Sequence, residues 1–117
     1  MASATVSHLL VQTEEFDRLV AFYTDVVGFS VKKRETFDED RPLVVFEERM
    51  GVTELPGERA DTGQVLEHVA FQVEAFDALV DRLHEHDVPI DDGPKSTSYG
   101  TSVYFFDPDG NRIECHD

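Results

Sequence analysis

The chain has 117 residues, the length of one compact domain with a core of its own. Its 25 Asp and Glu against 10 Lys and Arg leave a net charge of −15, which excludes nucleic acid and anionic membrane surfaces as partners, because both demand cations. A hydrophobic content of 40 % with nine Phe excludes disorder, and no run of about 18 apolar residues exists to span a membrane.

Residues 6–12 read as a first strand bearing His8. Thr13 follows as a helix N-cap, with Glu14, Glu15 and Asp17 where the helix dipole favours acids. Phe16, Leu19, Val20, Tyr23 and Val27 recur at helical spacing, and Gly28 suits the left-handed position that ends a helix. Strands are expected over 29–35, 43–48 and 52–55, with a polar turn at 37–42 and Glu54 on the last strand. Residues 57–64, rich in Gly and charge, separate a first module (5–56) from a second (65–117). The second module repeats the order: a strand over 65–73 with His68, a helix over 75–87, a short strand over 88–90 and a turn at 91–94. A strand over 101–106, the turn Asp107-Pro108-Asp109-Gly110 and a last strand over 111–116 bearing Glu114 complete it.

The two modules are copies. Laid over each other without a gap, residues 8–20 and 68–80 share seven identities in thirteen, where average composition gives about one. The same offset of sixty pairs Glu54 with Glu114, so each module holds a His near its start and a Glu 46 residues later. Two imidazoles and two carboxylates form a first shell for a divalent ion and leave room for two waters in an octahedral site. Such an ion is an electrophile for a substrate with two adjacent oxygens. It stabilises the enediolate formed when a proton leaves the carbon next to a carbonyl, and a ligating carboxylate is placed to take that proton.

Four stretches carry a wider likeness: His8-Leu9-Leu10-Val11, Phe22-Tyr23-Thr24-Asp25-Val26-Val27-Gly28-Phe29, Glu67-His68-Val69-Ala70-Phe71-Gln72-Val73, and Phe106-Asp107-Pro108-Asp109-Gly110-Asn111-Arg112-Ile113-Glu114. On these the chain resembles the vicinal oxygen chelate superfamily, which includes glyoxalase I, bleomycin- and fosfomycin-resistance proteins, extradiol dioxygenases and methylmalonyl-CoA epimerase. The resemblance implies an α+β fold, two tandem βαβββ modules forming curved mixed sheets around a metal cleft. Within the superfamily, bacterial-type glyoxalase I carries His, Glu, His and Glu at four strand positions, which His8, Glu54, His68 and Glu114 match in turn. The implied function is a metal-dependent lyase or isomerase moving a proton on a thiol–aldehyde adduct. Glu54 and Glu114 then serve as both ligands and proton-transfer groups, in a homodimer. The implied ion is nickel, cobalt or zinc, with manganese or Fe(II) as alternatives. Other readings are an epimerase, an extradiol dioxygenase, or a resistance protein that binds a small drug without turnover.

Glu47 and Glu48 are alternative acids at the end of the first module, and His116 faces the same side of its strand as Glu114. Tyr99 lies in a loop that family members use near substrate. The single Cys115 cannot close an internal disulfide and fits a reducing, cytoplasmic location. The acidic composition, with three Lys beside seven Arg, fits work in high salt, where screening removes self-repulsion.

Overall fold

The computed structural model describes residues 6–37, 40–55 and 67–117, so the expected linker at 57–64 lies outside the described residues. The chain runs one path twice. Strand β1 (Leu9–Thr13) leads into helix α1 (Phe16–Ala21), which continues as a π-helical segment (Phe22–Val27) before β2 (Val31–Phe37), β3 (Arg41–Phe46) and β4 (Met50–Glu54). The second pass is β5 (Val69–Gln72), α2 (Phe76–Glu85), β6 (Ile90–Thr97), β7 (Gly100–Phe106) and β8 (Arg112–His116). Each pass makes a four-stranded mixed sheet, ordered β1-β4-β3-β2 and β5-β8-β7-β6, with the first and last strands parallel. This is the expected pair of βαβββ modules.

Strand alternation sends one face of each sheet inward. Val44, Phe46, Val52, Val103, Phe105, Ile113 and Cys115 are buried there against the helical residues Leu19, Phe22, Tyr23, Val26, Leu79 and Leu83, in one core shared by both modules. Across the module boundary Phe22 meets Phe105 at a tilt and Phe29 meets Phe71 edge-on, with ring centres 6.2 and 5.0 Å apart. Two polar links cross the same boundary. The Tyr23 hydroxyl donates to Asp107 Oδ2 at 2.7 Å, and the Arg82 guanidinium donates from α2 to the carbonyls of Val26 and Val27. Gly28 ends the first helical stretch at φ +92°, where a Cβ would also strike the Arg82 guanidinium.

Several local expectations are corrected. Thr13 does not cap α1; its hydroxyl accepts from the Glu15 N–H two residues on. The polar turn before β3 is shorter than expected, since Arg41 and Pro42 already pair with β2. The turn expected at 91–94 is instead an irregular stretch within β6, whose register against β7 shifts twice around the cis Gly93–Pro94 bond. The hairpin turn falls at Ser98 and Tyr99.

Candidate metal centre

Strand β5 is paired with β8 so that Ala70 faces Glu114 across the ladder, two residues beyond His68. That register sets the His68 Nε2 3.1 Å from Glu114 Oε1. Glu114 is buried, 4 % of its side chain being exposed, while a third of the His68 side chain reaches solvent. The other ring nitrogen, Nδ1, lies 2.6 Å from Glu67 Oε1. With the Nδ1 proton given to Glu67, the Nε2 lone pair and the Glu114 oxygen face one another. Two ligands bound at about 2.1 Å and at right angles on one ion lie about 3.0 Å apart, so the donor set fits a divalent cation. A carboxylate behind a histidine ligand is also the usual device for fixing tautomer and ring orientation. The hydrogen bond with His68, reinforced by Arg112, holds the Glu67 carboxyl below the usual carboxylate range.

Around this pair stands a polar wall from β6, β7 and β8. The Tyr104 ring meets His68 edge-on at 5.9 Å and carries the Arg112 guanidinium over its face at 4.4 Å. Arg112 also bonds Glu67 and Asp91 at 3.2 Å, and Lys95, paired with Asp92, lies 5.4 Å from the same ring. Partial desolvation, then the charge of Glu114, pushes the Tyr104 hydroxyl above its ordinary value. A cavity of about 120 Å³ opens beside His68, lined by Leu10, Val11, Tyr23, Phe71 and Ile113.

The first module carries a different half. His8 precedes β1 as His68 precedes β5, and its Nδ1 is 3.0 Å from the Ser7 hydroxyl, the counterpart of the Glu67 contact. Along β4, however, the offset of sixty slips. Leu9 faces Met50 as Val69 faces Ile113, so the counterpart of Glu114 is Gly51, and the correspondence there is sixty-three residues. Glu54 faces Thr13, five rows along the ladder from His8 or about 16 Å at strand rise. It is exposed there, its carbonyl accepting from Arg41. The expectation that Glu54 stands beside His8 is therefore corrected, and Glu47 and Glu48 sit at the β3–β4 turn rather than on β4. Val45 and Leu43 take the positions of Tyr104 and Ser102, in a groove of about 420 Å³ that His8, Lys32, Lys33, Glu35 and Arg49 line beside these apolar residues.

Among the described residues of one chain, no three His, Cys, Asp or Glu converge as a metal site. His68 and Glu114 meet; His8 does not join them. Tyr99 lies at the exposed tip of the β6–β7 hairpin and stacks near His116, 5.6 Å between centres. Sequence reading passed over Glu67, Ser102, Tyr104 and Arg112. The one available signal was alternation: Ser102 and Tyr104 share a face of a strand whose other residues, Val103 and Phe105, are core.

Fold and site define a duplicated βαβββ protein with a part-exposed histidine set against a buried carboxylate. Residues 5–115 match the Glyoxalase/Bleomycin resistance protein/Dioxygenase superfamily, and the chain belongs to it. The catechol-2,3-dioxygenase of Bacillus subtilis (strain 168) is 35 % identical over 109 residues, covering 86 % of this chain but 36 % of that protein's length. The metallothiol transferase FosB of Lysinibacillus sphaericus (strain C3-41) is 29 % identical, over 99 % of this chain and 84 % of its own. The trypanothione-dependent glyoxalase I of Leishmania major superposes with a TM-score of 0.75 at 28 % identity, over 98 % of this chain and 87 % of that one.

Proposed function

We propose that the protein is a divalent-metal enzyme acting on a small substrate with two adjacent oxygens, its ion held by His68 and Glu114 of one chain and His8 of a second copy. The observation that carries the reading is the 3.1 Å separation of His68 Nε2 and Glu114 Oε1. The matching engagement of Nδ1 in both modules, by Ser7 and by Glu67, supports His8 as the third ligand. In a two-fold dimer the groove carrying His8 would cover the polar wall carrying Glu114.

A bound divalent ion supplies Lewis acidity toward the substrate's oxygens. The chain's own groups do the rest. Glu67 keeps the His68 ring turned with Nε2 toward Glu114, and Tyr104, facing Glu114 across the ladder, stands edge-on to that ring. Arg112, neutralised by Glu67 and Asp91, stiffens that wall rather than presenting a free charge. The glyoxalase I-like lyase reading expects a second carboxylate at the centre, and Gly51 stands where the repeat would put it. Two histidines and one carboxylate leave positions open for a chelating substrate and a further reactant. That set suits the kinds of protein named among the relatives, a catechol dioxygenase and a thiol transferase, at least as well.

Two single variants test the shared site. His8→Ala and His68→Ala should each take up no metal at stoichiometric concentration. Mixed in equal amounts and allowed to exchange subunits, half of the dimers become mixed, and each has one intact site of its two. A quarter of all sites should then bind metal. No recovery in exchanged mixtures would refute the shared site. Oxygen uptake with Fe(II) and catechol, thiol addition to an epoxide with Mn(II), and methylglyoxal–thiol turnover with Ni(II) then separate the reaction classes.

A further inference from the structure

Glu114 is held from behind by a row of hydroxyls that the metal reading does not need. Ser102, fully buried on β7, lies 2.7 Å from Glu114 Oε2, and Thr97 Oγ1 lies 2.9 Å from Ser102 Oγ. Proton counting fixes the direction of the row. A carboxylate only accepts, so the single Ser102 proton goes to Glu114, in the shortest and most charge-assisted of these bonds. Ser102 then accepts from Thr97, whose own proton is thereby spent, and the Gly100 carbonyl 3.2 Å away is the lesser contact. Thr97 in turn accepts the Tyr99 N–H at 3.2 Å. The row runs from a backbone N–H at the hairpin tip through two hydroxyls to one carboxylate oxygen, every dipole pointing the same way, which strengthens each bond. Its geometry is set by the hairpin, where Thr97 faces Gly100 and Lys95 faces Ser102. Among the described residues the first module has nothing like it, since Leu43 and Gly51 occupy the places of Ser102 and Glu114.

We infer that Ser102, with Thr97 behind it, is a positioning residue that occupies Glu114 Oε2 and so presents Oε1 alone beside His68, making Glu114 a one-oxygen ligand. The inference rests on the metal reading above. A carboxylate free to chelate with both oxygens would fill a coordination position that a substrate with two adjacent oxygens needs.

The test uses cobalt(II) as the probe on the full-length protein, reading affinity by titration and coordination by the visible spectrum. In Ser102→Ala, cobalt should bind about 10–100-fold more weakly, the usual cost of removing a ligand's supporting partner. Its visible bands should also lose intensity as the freed oxygen raises the coordination number. Thr97→Val, which leaves Ser102 and its packing in place, should shift both readouts in the same direction by less. It carries the test alone if circular dichroism shows Ser102→Ala unfolded. A wild-type protein that takes up no cobalt overturns the metal reading and this inference with it. A wild-type protein that binds cobalt, beside folded variants with the same affinity and the same spectrum, overturns the positioning role and leaves the metal reading standing.

Discussion

The Tyr23–Asp107 contact offers a direct measure of how firmly one module is tied to the other. Tyr23 is 1 % and Asp107 4 % exposed, and their 2.7 Å bond joins the π-helical segment of the first module to the turn before β8. Tyr23→Phe deletes one hydroxyl and leaves Asp107 its three other partners: the N–H groups of Asp109 and Asn111 on Oδ1 and the Asn111 side chain on Oδ2. The carboxylate therefore keeps its place, and the loss is that of one buried hydrogen bond to a charged acceptor, about 1.5–3 kcal/mol. For 117 residues, an unfolding entropy of about 2.1 cal/mol/K per residue converts each kcal/mol into roughly 4 °C, so the midpoint should fall by about 6–12 °C. Urea unfolding of wild type, Tyr23→Phe, Asp107→Asn and the double variant closes a cycle, and the coupling energy should exceed about 1 kcal/mol. A coupling under about 0.5 kcal/mol, the value of an exposed pair, would refute the view that this bond is buried and formed in solution.

Three further outcomes follow from the same geometry. Burial, with the Glu114 charge behind it, pushes the Cys115 thiol up to about 12, so it should stay inert to a disulfide reagent at pH 8 until the protein is unfolded. Because the thiol is neutral in the fold and ionises from about pH 9 once unfolded, its contribution is intact below pH 9 and lost as pH rises toward 12. Burial raises Tyr23 too, and stability measured by urea titration should fall through that window by up to about 4 kcal/mol from the thiol, less in Cys115→Ala. Gly28→Ala places a Cβ at φ +92° and 2.9 Å from Arg82 Nη2, and should destabilise by about 1–2 kcal/mol or more by thermal melt. Glu67→Gln weakens the orientation of His68, and the affinity for zinc should drop by about tenfold with the melting curve little changed.

Local pattern carried a good deal of this protein. The repeat of 8–20 in 68–80 announced the duplication, helical and strand periodicities located nearly all the elements, and Asp107-Pro108-Asp109-Gly110 announced its turn. His68 and Glu114 were legible because one repeat unit holds both. What the pattern does not hold is the row at which one strand lies against another far along the chain. Period two says which face a side chain takes, not how far along the ladder it stands. Three residues of difference between the modules thus put Gly51 in the place equivalent to Glu114's and carried Glu54 to the far end of β4. The hydroxyl row behind Glu114 was equally invisible, because the irregular β6 sets Thr97 and Ser102 together only once the hairpin has closed. Sequence by itself determined the two modules and the residue types fit to bind an ion. Tertiary structure decided which of them meet, since ligand geometry depends on strand register, and register is fixed by the packing of whole sheets.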